Sequence, residues 1–251
     1  MPARPAAPKH QKLRRTIIDT CLRMNALGIN QGTSGNVSAR TPEGFLITPS
    51  GIPYEQTKPK QIVAMDLEGG YRGDWLPSSE WRMHLDIYKA RPEAQAVVHT
   101  HSVHATALAA LRIEVPAFHY MIGVTGGPSL RCSDYATFGT EALSKTMLKA
   151  LEDRTACLLA NHGMICVGPS LEKALWLAGE IETLCRQYFI ACQAGTPKIL
   201  SGAEMKRVLA RFKTYGKQSD ELAEGDAPAV EAPVHRDRPE AAGGKKKTKR
   251  A

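Results

Sequence analysis

No run of apolar residues in this sequence approaches the roughly 20 that a membrane-crossing helix requires, so no contact with a bilayer is expected. The opening stretch "MPARPAAPKHQKLRR" lacks the hydrophobic centre of a secretory leader. The cysteines Cys21, Cys132, Cys157, Cys166, Cys185 and Cys192 form no C-x-x-C and no framework spacing. They are expected to be free thiols in a reducing cytoplasm. Neither G-x-G-x-x-G nor G-K-[ST] stands in the context that a nucleotide site demands, and no internal repeat is visible.

Acidic residues are missing from both ends. Residues 1–15 carry Arg4, Lys9, Lys12, Arg14 and Arg15, and the last nine carry Lys245, Lys246, Lys247, Lys249 and Arg250. These ten positive charges exceed the net +8 of the chain, so residues 16–242 sum to −2. Basic ends cling weakly to polyanions, but a near-neutral body gives no ground for specific nucleic-acid recognition. With 43% apolar residues over 251 positions, the chain suits one domain with a real core.

Histidine is present and concentrated. Of eight, three fall in "AQAVVHTHSVHA", which spans Ala94 to Ala105. "AQAVV" reads as a short buried strand. Strand residues i and i+2 share a face, so His99 and His101 point the same way and Thr100 the other. On a helix the same pair could not share a ligand. "SVHATALAALR" then turns helical, with Ser102 placed to cap and His104 in the first turn. His99 and His101 alone are equally well read as strand-end residues satisfied by hydrogen bonds. A third imidazole is therefore decisive, and His162 offers it, between the apolar strand "CLLA" and Gly163. Three neutral imidazoles suit a borderline transition metal such as zinc. Glu80, in the first turn of the helix "SSEWRMH", can supply a fourth group. His84, one turn later, reads as a packing or surface residue.

Around these residues the pattern alternates short strands and helices. A helix over 16–30 closes at Gly28, and short strands follow in "NVSAR", "GFLITPS" and "QIVAMDLEGGY". A helix begins at "SSEWRMHLDIYKA" with serine at the cap. Later come a helix over 138–151, the strands "ACLLA" and "MICVG", and the long amphipathic helix "SLEKALWLAGEIETLCRQYFIACQAG". Strands that return by short turns imply a largely antiparallel sheet. From about residue 218 apolar periodicity vanishes and disorder is expected. Three turns, "GTSGN" (32–36), "PSG" (49–51) and "PSSE" (77–80), offer backbone N–H groups with hydroxyls, and the last opens a helix. Beside a metal they suggest a small phosphorylated substrate.

The ordered segments "NQGTSGNVSAR", "LITPSGIPYE", "LPSSEWRMHLDIYKARPEAQAVVHTHSVH", "PAFHYMIGVTGG", "YATFGT", "NHGM", "LEKALWLAGEIE" and "FKTYG" run from about residue 13 to 216. In order and content they closely resemble the metal-dependent class II aldolase/adducin family. Ser34, Ser50 and the surroundings of His162 differ mildly from that pattern, and the tail past Gly216 has no counterpart in it. The resemblance implies a single three-layer α/β domain over 13–217, its mainly antiparallel sheet flanked by helices. A disordered basic N-terminus (1–12) and a disordered tail with a basic end (218–251) are expected beside it.

By that resemblance His99, His101 and His162 are metal ligands, and Glu80 is both fourth ligand and catalytic acid/base. Gly35, Asn36, Ser50, Gly51, Ser78 and Ser79 bind phosphate. Tyr120 and Tyr215 are catalytic and enter from a neighbouring subunit, and Phe138 and Phe212 line the aldehyde end. One divalent metal per chain is implied, zinc foremost, with manganese or cobalt as alternatives. A homotetramer with sites at subunit interfaces is implied as well. The implied activity is cleavage of a ketose 1-phosphate, of the L-fuculose 1-phosphate or 5-deoxyribulose 1-phosphate type, to dihydroxyacetone phosphate and a small aldehyde. Three alternatives share the scaffold: a methylthioribulose-1-phosphate aldolase, the corresponding dehydratase, and a non-catalytic adducin-like binding module. The intact histidine set argues against the module.

Overall fold

The computed structural model describes residues 9–214. Helix α1 (Gln11–Ala26) buries Ile17, Ile18, Cys21 and Met24, as the helical spacing predicts. It ends where expected. Gly28 has φ +69°, and Gly28 and Ile29 return their N–H groups to the carbonyls of Asn25 and Met24. Its start is earlier than expected and reaches into the stretch read as disordered. There Lys9 and His10 pair with Glu43. The buried Arg14 guanidinium donates to the carbonyls of Lys9, Pro59 and Ile62.

The strands β1 (Asn36–Thr41), β2 (Gly44–Ile47), β3 (Val63–Met65) and β4 (Tyr71–Arg72) follow as a meander. Helix α2 (Trp81–Ala90) leads to β5 (Ala96–Thr100), which pairs with the free side of β1. Helix α3 (Val103–Ala110), a two-stranded ribbon of β6 (Val115–Pro116) and β7 (Ser129–Leu130), and α4 (Glu141–Ala150) come next. The hairpin β8 (Ala156–Leu159) and β9 (Gly163–Gly168) then lays β9 against β5. Helix α5 (Leu171–Ala194) follows, and α6 (Gly202–Phe212), which has no counterpart among the expected helices, comes last. The seven-stranded sheet, ordered β4-β3-β2-β1-β5-β9-β8, is antiparallel at every pairing.

Helices cover both faces of this sheet. Val97 of β5, Ile165 and Val167 of β9, and Cys157 and Leu159 of β8 share one core with Met83, Ile87 and Tyr88 of α2 and Leu143 and Met147 of α4. Their alternation along each strand sends the intervening residues to the other face, where α5 packs on β5 and β9 and touches α1 and α3. A Cβ on Gly168 would lie 2.7 Å from the backbone nitrogen of Ala174. That glycine lets β9 and α5 meet backbone to backbone. Through Leu209 the chain is one contact unit, and Ala210–Thr214 complete α6 and a closing turn. No helix among the described residues is long and apolar enough to cross a membrane.

Helix caps mix local and distant sources. Thr140 and Ser170 accept from Leu143 and Lys173, capping α4 and α5. Ser102 occupies the cap position of α3 but makes no capping bond. Instead the Glu182 carboxylate of α5 accepts the N–H groups of His104 and Ala105, both at 3.0 Å. The expected cap is thus replaced by a carboxylate 78 positions away, whose full charge suits a helix N-terminus better than a hydroxyl does.

Beneath β1 lies an unusual contact. Asn36, Ser38 and Arg40 alternate on the face turned to α2, and all three are polar. Arg40 donates to the carbonyls of Tyr88, Arg91 and Ala94 at 2.7 to 3.0 Å, and its guanidinium lies 4.8 Å from the Tyr88 ring centre. It therefore closes the C-terminal end of α2 with a positive charge. We expect Arg40→Met to lower the unfolding free energy by about 2–4 kcal/mol, since it strips a charged donor from three carbonyls. Urea titration measures this, and a loss below about 0.5 kcal/mol, the surface norm, would show the clamp to be idle.

Candidate active site

Strand β5 ends at the site. In register with Val97, His99 faces α2, and His101 follows on the same side, just past the strand end, as the two-residue period requires. His162 stands in the β8–β9 hairpin loop behind Asn161, whose φ of +54° is a left-handed conformation that asparagine tolerates well. The three rings meet edge-on, with centroids 4.8 to 4.9 Å apart and planes inclined at 70 to 77°. Glu80 reaches them from the start of α2. The structure puts Glu80 at the cap position itself, not in the first turn as expected. The Ser78 hydroxyl accepts the Glu80 N–H, and the carboxylate turns toward the histidines in place of capping.

One ligand atom from each of Glu80, His99, His101 and His162 lies within 4.8 Å of every other. His99 Nε2 is 3.0 Å from His101 Nε2 and 3.1 Å from Glu80 Oε2, and His162 Nε2 is 3.0 Å from Glu80 Oε1. His99 Nδ1 faces the Met164 carbonyl at 2.8 Å. A carbonyl only accepts, so Nδ1 carries the hydrogen and the neutral ring turns a lone pair inward. Acceptors then face acceptors across a buried space, and Glu80 Oε1 meets no donor in hydrogen-bonding geometry. Protonating one ring relieves one contact, whereas a divalent cation satisfies all four. Three nitrogens and a carboxylate oxygen are also the donor set of a zinc-type site, and His99 with its backbone partner is oriented as metal-bound imidazoles are.

Charge inside the cluster follows from burial and proximity. Burial alone raises the Glu80 carboxyl, but the facing His99 and His162 rings outweigh it and hold the group far below the usual carboxylate range. Burial lowers His99, yet the Glu80 carboxylate overrides this and raises it. His101 is pushed down to about 4 by burial and by His99 and His162. It therefore presents a bare nitrogen at neutral pH. His99 and Glu80 are buried while His101 and His162 are part-exposed, so the cluster opens to solvent on the side of the latter pair.

The three turns gather around the Glu80 end. Pro49 and Pro77 form a bridge, Ser50 donates its N–H to the Leu76 carbonyl, and Ser78 donates to the Thr48 carbonyl. "PSG" and "PSSE" are thereby zipped side by side. Thr48 also exchanges bonds with the Val37 backbone, and the Tyr54 hydroxyl donates to the Gly35 carbonyl at 2.5 Å, which brings in "GTSGN". A Cβ on Gly35 would sit 2.5 Å from the His99 carbonyl oxygen and 2.6 Å from Asn30 Oδ1, so only glycine lets this loop lie against β5. Ser50, Gly51 and Ser79 are exposed; Gly35, Asn36 and Ser78 are buried. Gly139, with φ +74°, rests against the Ser79 carbonyl, and beside it Phe138 is 66% exposed. Tyr120 is half-exposed and stacks on His119. Phe212 ends α6. Tyr215 and the expected tail over 218–251 lie outside the described residues.

His84 does more than fill space. It is fully buried; its Nε2 donates to Asn36 Oδ1 at 2.5 Å, and its Nδ1 accepts from the Ser38 hydroxyl at 2.6 Å. Asn36 in turn donates to Glu80 Oε2 at 2.9 Å. The spacing of Glu80 and His84, one helical turn, was the only sequence signal for this link. His104 is no ligand, because its Nδ1 is held 2.7 Å from Glu182.

The sequence matches the Class II Aldolase and Adducin N-terminal domain over residues 15–189. It is 50% identical over 214 residues to an L-fuculose phosphate aldolase of Escherichia coli K12, covering 85% of this chain and all of that one. It is also 50% identical over 204 residues to a 5-methylthioribulose-1-phosphate/5-deoxyribulose-1-phosphate aldolase of Rhodospirillum rubrum, 81% of this chain and 92% of that one. A solved L-fuculose 1-phosphate aldolase superposes with a TM-score of 0.78 at 38% identity, covering 82% of this chain and 98% of its own. The chain belongs to the class II aldolase and adducin family. Within that family the chain keeps a four-donor cluster able to hold a metal ion.

Two predictions follow from this geometry. A Cβ on Gly163 would stand 2.4 Å from the Thr100 carbonyl oxygen and 2.9 Å from His101 Cδ2. Gly163→Ala should therefore displace His101 and weaken Co²⁺ binding by about 10–100-fold, read by visible absorption with the fold checked by circular dichroism; unchanged affinity would clear Gly163 of that role. His84 is pushed down to about 3, by burial first and then by His99, from an unfolded value of 6.5. Between those values the unfolded chain binds the extra proton, so the contribution is intact above pH 6.5 and is lost as pH falls toward 3. In chelator, wild-type stability should fall there by up to about 1.4 kcal/mol per pH unit more steeply than that of His84→Met; parallel slopes would contradict it.

Proposed function

We propose that this chain is a metal-dependent aldolase that cleaves a ketose 1-phosphate between C3 and C4, giving dihydroxyacetone phosphate and a small aldehyde. The observation that carries the proposal is the buried Glu80 carboxylate, one oxygen of which accepts no hydrogen bond, facing three convergent imidazoles beside the zipped turns. A divalent ion, zinc foremost, held by Glu80, His99, His101 and His162 would supply Lewis-acid polarisation of the substrate oxygens. The phosphate is bound by Gly35, Asn36, Ser50, Gly51, Ser78 and Ser79, at the N-terminal end of α2. Tyr120, entering from a neighbouring copy of the chain, takes the proton of the C4 hydroxyl as the aldehyde forms. The electron pair of the broken bond stays with the three-carbon fragment, and the proton taken up by Tyr120 reaches C3 by way of Glu80, so both groups end the cycle as they began it. Phe138 and Phe212 flank the aldehyde end, Tyr215 assists from the same neighbour, and the working assembly is a homotetramer in the cytoplasm.

The relatives named for fuculose phosphate and for methylthio- or deoxyribulose phosphate support the same bond cleavage with different aldehydes. The deciding experiment offers L-fuculose 1-phosphate, 5-deoxyribulose 1-phosphate and 5-methylthioribulose 1-phosphate to zinc-loaded protein and identifies products by NMR. At least one should yield dihydroxyacetone phosphate, and chelation should abolish turnover. Loss of water without carbon–carbon cleavage would hand the site to a dehydratase. Glu80→Gln and Tyr120→Phe should each lower kcat about 10²–10⁴-fold. Mixing the two inactive proteins should restore part of the activity, since some interfaces then carry both native groups; no recovery despite subunit exchange would place both in one chain.

A further inference from the structure

The polar contact between β1 and α2 forms a single directed chain, and its direction is forced at every link. A carboxylate accepts only, so Asn36 must turn its Nδ2–H toward Glu80 Oε2, at 2.9 Å. Its Oδ1 is then fixed toward His84 Nε2, at 2.5 Å, which must donate. That leaves Nδ1 of the neutral ring as an acceptor, filled by the Ser38 hydroxyl at 2.6 Å. Ser38 Oγ, having given its hydrogen away, accepts from the Tyr88 hydroxyl at 2.8 Å. Tyr88, Ser38, His84 and Asn36 thus hand donors one to the next, and the last points at Glu80. All five residues are buried, His84 and Ser38 completely.

The chain divides the two oxygens of Glu80. Oε2 is held by Asn36, while Oε1 is buried without a hydrogen-bond partner. We propose that His84 is a positioning residue: by locking the Asn36 amide in one orientation it commits Oε2 to the protein and keeps Oε1 free for the ion and the proton. This rests on the metal-centre reading above, but His84, Ser38 and Tyr88 have no place in that reading as ligands of ion or substrate. A flipped Asn36 would set its carbonyl oxygen against Oε2 and drive the carboxylate off its rotamer. Only the N–H of His84 distinguishes the two orientations from behind. If His84 merely filled core volume, an apolar side chain of similar size would serve as well, because an intact buried polar set is often replaceable at little cost in stability.

The test uses full-length protein and Co²⁺ as probe, read by its visible absorption, in wild type, His84→Met, His84→Gln, Glu80→Ala and the double variant Glu80→Ala/His84→Met. His84→Met should weaken Co²⁺ binding about 10–100-fold, and should have no further effect once Glu80 is absent. His84→Gln, which puts an N–H near the place of Nε2, should recover most of that loss. On whichever ketose phosphate is cleaved, kcat of metal-saturated His84→Met should fall over the same range with KM little changed. An equal loss of Co²⁺ affinity in the Glu80→Ala background would overturn the proposal, as would folded His84→Met with wild-type affinity. If His84→Met does not fold, Ser38→Ala frees His84 to change tautomer and should weaken Co²⁺ binding only when Glu80 is present; a Glu80-independent loss there counts equally against it. A protein that binds Co²⁺ as described yet cleaves no ketose phosphate would remove the aldolase reading and leave this one standing.

Discussion

Four acceptor atoms that face one another in a buried space repel unless a cation lies between them, and the rest of the structure answers to that constraint. Lone pairs from Glu80, His99, His101 and His162 cannot be brought within 4.8 Å by flexible segments, because the chain would relax them apart. Each is therefore backed by something rigid. His99 is braced by the Met164 carbonyl across the β5–β9 pairing. His101 stands where Gly163 leaves no room for a side chain beside it, and His162 is carried by a hairpin loop whose Asn161 side chain is tied to Arg112 and to the Ala110 carbonyl. Glu80 is gripped by Asn36 from β1, the strand that pairs with β5. An all-antiparallel sheet suits this task because neighbouring strands fix one another residue by residue, as at Asn36 opposite His99.

The cluster is graded from inside to outside. Its inner half, Glu80 and His99, is closed to water, so the repulsion between their inward lone pairs, and the pull of a cation set between them, act at low dielectric. Its outer half, His101 and His162, meets solvent, and an incoming ligand approaches from there. The zipped turns present the exposed Ser50, Gly51 and Ser79 at the same end of α2 that Glu80 precedes. On the proposed reading, an anion bound to those turns is placed by the helix that places Glu80. One element, α2, couples the two halves of the site, which is why its two ends are held so firmly to β1.

Much of this was legible in the sequence, and the exceptions share a cause. The period-two placement of His99 and His101, the helix stops and the three turns are local patterns, and local patterns read well. The α/β architecture followed from strands joined by short returns. What failed was anything decided by a partner distant in the chain. Ser102 looked like the cap of α3, yet Glu182 does the capping. Glu80 looked like a first-turn acid, yet it stands at the cap position without capping, its carboxylate turned to the histidines. "NVSAR" alternates polar and apolar residues, a pattern that ordinarily marks a face in water. Here the polar face is the buried one, and nothing in five residues announces that α2 will meet it with polar groups of its own. His84 was undervalued for the same reason.

That polar seam has a geometric basis. Two residues of strand advance by roughly 6.6 Å, and four residues of helix by about 6.0 Å. Positions 36, 38 and 40 of β1 can therefore stay in step with positions 80, 84 and 88 of α2, slipping only about 0.6 Å per repeat. Asn36 bridges Glu80 and His84, and Ser38 bridges His84 and Tyr88. By the third repeat the slip has grown to about 1.2 Å. Arg40 stands there, and its long arm passes over the Tyr88 ring to reach backbone carbonyls beyond it. The seam stops at three rungs because β1 ends at Thr41 and α2 at Ala90. Its shortest links, 2.5 Å from His84 to Asn36 and 2.6 Å from Ser38 to His84, both meet the middle residue of the helix row, and the 2.9 Å bond from Asn36 hands their order on to Glu80.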